Sequence, residues 1–113
     1  MKTYKVIYNN CFGGFNLSEE AQALGEEISG IQNWGRYSWY LQRHDPVLVE
    51  VFEQLGSERA SGFCSELAVI EITGRYRVDE YDGAETVYEP DDYDYVDPSV
   101  IKAYGEKAYS EED

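Results

Sequence analysis

An α+β domain is the fold this sequence predicts, and three observations predict it. The chain opens on a run dense in β-branched and aromatic residues. Two amphipathic helical stretches follow, and three strand-like runs come after them. The order β-α-α-β-β-β places two helices on one face of a mainly antiparallel sheet of about four strands. Residues 1–88 carry this compact domain, and residues 89–113 form an acidic, tyrosine-rich C-terminal segment. A chain of 113 residues suits one domain with a single modest core.

Tyr4, Val6, Ile7 and Tyr8 predict a strand over residues 3–8, ended by the turn pair Asn9-Asn10. Gly13 and Gly14 then permit a sharp strand-to-helix bend. Leu17, Ala21, Leu24 and Ile28 fall on one helical stripe, with Glu19, Glu20, Glu26 and Glu27 on other faces. Asn16 or Ser18 can cap that helix, and Gly30 can stop it. Residues 31–43 lack clean periodicity but hold Trp34, Tyr37, Trp39 and Tyr40. They read as a lid over the core or as an exposed recognition patch.

Asp45 as N-cap and Pro46 as first helical residue open a second helix, with Val47, Leu48, Val51, Phe52 and Leu55 apolar. Gly56 marks its expected end. Residues 67–72 predict a strand buried on at least one face, and residues 76–81 a second. Asp82-Gly83 is a tight hairpin turn, and residues 85–88 supply the last strand. Beyond Pro90, a short helix is expected near 98–104 with Asp97 as its cap.

Charge bounds the partners. The chain holds 23 acids against 9 bases, a formal charge of -14. Residues 1–88 carry 14 acids and 7 bases, so half of the net charge falls in the last 25 residues. Such a surface repels nucleic acid and anionic membrane and attracts basic proteins. No apolar run approaches the length of a membrane span, and the first residues read as a strand rather than a signal peptide. A soluble, cytoplasmic protein is the expectation. Cys11 and Cys64 make no disulfide framework and read as free thiols.

Three sets of residues are candidates for chemistry. Cys11 with His44 and Asp45 could form a thiol nucleophile and base, with the Gly13 and Gly14 amides as an oxyanion site. The plainer reading makes Cys11 a turn residue and His44 a partner of backbone beside a helix cap. The second set is acidic and aromatic: Asp91, Asp92, Asp94 and Asp97 with Tyr93 and Tyr95. Alternate residues of an extended segment share a side, so carboxylates there can imitate a row of phosphates. Tyrosines on the other side offer stacking area to arginine. The plainer reading is a solvated charge run. The third set, Trp34, Trp39 and Tyr40, could contact a partner or a second copy of the chain.

No metal or cofactor is expected. There is one histidine, thiols are not clustered, the aspartates miss the EF-hand spacing, and the glycines fit no phosphate loop.

The stretches Tyr8-Asn9-Asn10-Cys11-Phe12-Gly13-Gly14-Phe15, Arg43-His44-Asp45-Pro46-Val47-Leu48-Val49 and Glu80-Tyr81-Asp82-Gly83 resemble a family of small uncharacterised accessory proteins of tailed phages and large DNA viruses. The resemblance spans most of residues 4–88 and departs mildly at Ala60-Ser61-Gly62. It carries no activity and no site residue. What it implies is a viral accessory role inside a host cell, directed at a host or defence protein. The expected function is therefore binding: an acidic, DNA-mimic-like inhibitor of a basic nucleic-acid-binding surface. A small thiol enzyme and an aromatic-interface assembly protein are the alternatives.

Overall fold

A computed structural model describes residues 2–37 and 41–89, together with Pro98. Six elements occur in the expected order: β1 (Tyr4–Asn9), α1 (Glu19–Ser29), α2 (Pro46–Ala60), β2 (Leu67–Ile72), β3 (Arg77–Tyr81) and β4 (Ala84–Tyr88). The fold is α+β. The short helix expected near 98–104 lies outside the described residues.

The strands pair differently from the single sheet expected. β1 and β2 form one antiparallel ribbon, with Tyr4 opposite Ile72 and Asn9 opposite Leu67, while β3 and β4 form another. The reason lies in strand alternation. Val6 and Ile7 are both fully buried, yet neighbours on a strand face opposite ways. Ile7 packs with Leu17, Ala21, Leu48, Val51 and Leu67 against the helices. Val6 packs with Ile72 and Tyr76, flanked by Val78 and Val87 of the second ribbon. β1 is thus covered on both faces, with helices on one side and the second ribbon on the other. Complete burial of side chains such as Leu48 or Ile7 is worth about 1.5–3 kcal/mol each.

Local chemistry accounts for the helices. Ser18 caps α1 by accepting from the Ala21 amide, and Gly30 closes it in the left-handed conformation at φ 74°. Asp45 caps α2 through the Val47 amide, 2.8 Å away, and Pro46 takes the first position. Gly56 does interrupt α2, with φ 82° and ψ 170°, but the helical path resumes and runs to Ala60. At the other end of the fold, Asp82 and Gly83 both have positive φ (53° and 89°), the geometry a two-residue hairpin requires.

Trp34 departs from the exposed-patch reading. It is 1% exposed and belongs to the helical core. A Cβ on Gly25 of α1 would stand 1.9 Å from the Trp34 ring, so the ring lies where that glycine has no side chain. At this position aromatic bulk fills the core. Trp39 and Tyr40 lie outside the described residues.

Candidate functional site

Three connections meet beyond the C-terminal end of β1: the 11–14 loop, the 62–65 turn and the tip of the β3–β4 hairpin. Asn9, fully buried, holds them together. Its Nδ2 donates to the Cys11 carbonyl (2.7 Å) and to the Gly83 carbonyl (2.8 Å). Its Oδ1 accepts from the Glu66 amide at 2.7 Å. Its own backbone N–H donates to Glu85 Oε1 at 2.8 Å. One side-chain amide therefore addresses segments more than fifty residues apart.

The same carboxylate anchors Arg43. Both guanidinium Nη atoms reach Glu85, with Nη2 2.9 Å from Oε2, and the pair is largely shielded from solvent. The guanidinium also lies 3.7 Å from the centre of the Phe15 ring. Backbone closeness completes the junction. A Cβ on Gly13 would stand 1.9 Å from the Cys64 carbonyl oxygen, and one on Gly83 would stand 2.4 Å from the Gly14 nitrogen. Only glycine permits these approaches.

What this junction presents outward is aromatic. Phe12 is 69% exposed, Phe63 88% and Tyr81 76%, and each sits on one of the three meeting segments. Glu66, which follows the 62–65 turn, and Glu80 and Asp82 of the hairpin are exposed as well, Glu80 Oε2 accepting from the Gly83 amide at 2.8 Å. The sequence assigns none of these residues to a binding site; Asp82 reads as a hairpin turn residue. Phe12-Gly13-Gly14-Phe15 reads as a bend, with the two glycine amides as a possible oxyanion site, and not as an aromatic surface. The available hint was a phenylalanine, Phe63, set in a Ser-Gly-Cys-Ser stretch with no periodic element to bury it.

The candidate thiol site is not assembled. Cys11 Sγ faces Asn9 Oδ1 (3.5 Å) and the Cys64 carbonyl (3.4 Å). His44 is buried, and its Nδ1 lies 2.6 Å from the Tyr76 hydroxyl in an edge-on ring pair. His44 lines a concavity with Thr3, Tyr4 and Lys5 from the start of β1, whereas Cys11 follows the C-terminal end of that strand and bonds to Asn9 and Cys64. Asp45 is engaged as the α2 cap and does not orient the imidazole toward a thiol. Burial holds its carboxyl above the usual range, against the lowering effect of the Val47 and Leu48 amides. Tyr76 is held far above the ordinary tyrosine range, chiefly by burial. The Gly13 and Gly14 nitrogens are packed against Gly83, which removes the proposed oxyanion site.

A second concavity of about 660 Å³ lies where the start of β1 meets α2, lined by His44, Pro46, Val49 and the Lys5–Glu53 ion pair. It is shallow and open. Among the described residues, no group of three or more metal-ligating side chains occurs, and no helix is long and apolar enough to cross a membrane. The tail candidates Asp91, Asp92, Tyr93, Asp94, Tyr95 and Asp97 lie outside the described residues. Comparison with protein-family models, curated proteins and solved structures returns no match.

Proposed function

We propose that the protein works by binding: as a viral accessory protein, it lays an acidic surface on the basic, nucleic-acid-binding face of a host or defence protein. The observation that carries this reading is the charge left over on the folded body. Four ion pairs, Lys5–Glu53, Arg43–Glu85, Arg59–Glu20 and Arg77–Asp79, occur among the described residues. They take four of the fourteen acids and four of the seven bases in residues 1–88, which leaves ten carboxylates, nine of them exposed and Asp45 buried, against three cations.

Helix α1 illustrates the excess. Glu19, Glu26 and Glu27 are exposed outside these ion pairs, Glu20 is exposed and paired with Arg59, and the last turn has no base. Residues seven apart return to one helix face after about 10.5 Å of rise, so these acids stand in two rows. Asp91, Asp92, Asp94 and Asp97 would extend the charge, with Tyr93 and Tyr95 as stacking surfaces. The resemblance to viral accessory proteins favours a host target over metabolism.

The test is capture from host-cell lysate by the full-length chain at low salt, with duplex DNA as competitor. The reading expects a nucleic-acid-binding protein that DNA displaces and high salt releases, because the screening length falls from about 10 Å at 0.1 M to about 3 Å at 1 M. The Asp91→Asn, Asp92→Asn, Asp94→Asn, Asp97→Asn variant should capture less of it. A partner held equally well in 1 M salt and indifferent to DNA contradicts the reading.

A further inference from the structure

Resting on the reading that the partner is basic, we propose that the junction of the 11–14 loop, the 62–65 turn and the β3–β4 tip docks an arginine-rich segment of that partner. Phe12, Phe63 and Tyr81 are its stacking surfaces, and Glu66, Glu80 and Asp82 its ion-pairing groups.

Exposure is the first argument. Apolar rings left in water forgo the burial that drives folding, and three exposed rings carried by three segments that meet offer a candidate contact surface. Phe63 at 88% exposure contributes almost nothing to the core, although the same chain buries Trp34 almost completely. Rigidity is the second. Binding surfaces gain affinity when their side chains are held before the partner arrives. Asn9 bonds to the Cys11 and Gly83 carbonyls and to the Glu66 amide just after the 62–65 turn, and Asn16 Nδ2 further holds the Phe63 carbonyl at 3.3 Å. The Gly13–Cys64 and Gly83–Gly14 approaches leave the backbone no slack.

Charge selects the occupant. Residues 10–16, 61–66 and 79–85 contain no lysine or arginine, while Glu66, Glu80 and Asp82 are exposed. An apolar partner would strip water from these carboxylates without replacing its hydrogen bonds, which is costly. Arginine satisfies both halves of the surface. Its flat guanidinium stacks on aromatic rings and pairs with carboxylates through two parallel bonds. The protein already makes that arrangement internally, where Arg43 lies over Phe15 and forks onto Glu85. Lysine, a compact and strongly hydrated charge, fits the rings less well.

The experiment titrates the full chain into fluorescein-labelled octa-arginine and octa-lysine, two probes of equal charge. The proposal expects tighter binding of octa-arginine. Phe12→Ala with Phe63→Ala should weaken it at least tenfold and abolish the preference over octa-lysine, whereas Glu19→Gln with Glu26→Gln should leave the preference intact. Saturating octa-arginine should also slow alkylation of Cys64, which is exposed beside Phe63. This second readout uses the unaltered protein. If the double variant binds octa-arginine within threefold of the parent, or Cys64 reacts at an unchanged rate, the docking face is overturned while the basic-partner reading stands. If the parent binds neither peptide, both are overturned.

Discussion

Trp34 and Phe63 are both aromatic and both lie outside regular elements, yet the fold treats them in opposite ways. Trp34 is 1% exposed against the bare backbone of Gly25; Phe63 is 88% exposed beside the bare backbone of Gly62. In the helical layer, aromatic bulk fills space and polar groups cap helix ends. At the β1 junction the roles are exchanged. Polar groups do the holding, through Asn9 and the Arg43–Glu85 pair, and the aromatic rings are left outside. A fold that secures a region with buried hydrogen bonds can leave its apolar side chains available to a partner.

The contrast can be broken at Glu85. Glu85→Ala removes the partner of a largely shielded guanidinium and an acceptor of the buried Asn9 amide. Loss of one member of such a pair costs about 3–5 kcal/mol, measured as a shift in the urea midpoint. An effect below about 1 kcal/mol would mean that the junction is not held by its polar groups. In the helical layer the corresponding lesion is steric. Gly25→Ala drives a methyl group into the Trp34 ring, and overpacking of this kind costs about 1–3 kcal/mol. Tryptophan fluorescence during thermal unfolding reads it.

Asp45 sharpens the comparison, because it caps a helix from a buried position. Its folded carboxyl holds its proton more tightly than the unfolded one. The stability it contributes is therefore complete below the ordinary value of 3.8 and is lost as pH rises through the raised folded value. Asp45→Asn keeps a capping oxygen that cannot ionise, so at pH 7 it should be at least as stable as the parent. Its advantage should shrink below about pH 4. Asp45→Ala removes the cap and should lose about 0.5–2 kcal/mol across the range. Urea melts of the three proteins at pH 3.5 and 7 decide it, and an Asn variant weaker than Ala contradicts the assignment.

The mildest effect belongs to the exposed rings. Phe12→Ala and Phe63→Ala should each alter stability by less than about 0.5 kcal/mol, as surface substitutions do. A loss of 2 kcal/mol from either would place that ring in the core and remove it from any docking face.

Which features were legible in the sequence follows from the range of the physics. Ser18, Gly30, Asp45, Pro46 and Asp82-Gly83 act on neighbours within a few residues, and each does in the fold what its type predicts. Gly56 interrupts α2 as its type suggests, but the Ser61 amide returning to the Ser57 carbonyl carries the helix on to Ala60. Trp34 could not be assigned inside or outside, because no repeat surrounds it. The division into two ribbons rests on Val6 facing Tyr76 while Ile7 faces the helices, and consecutive apolar residues do not announce that. The junction was the least legible part. Asn9 reads as a turn residue, and its bond to Gly83 joins positions 74 apart.

One measurement addresses the central claim: an amide chemical-shift map of the full-length protein titrated with octa-arginine at low and high salt. The account predicts shifts centred on Phe12, Gly14, Cys64, Tyr81 and Gly83 that vanish as salt rises. Shifts confined to α1, or none at all, would contradict it.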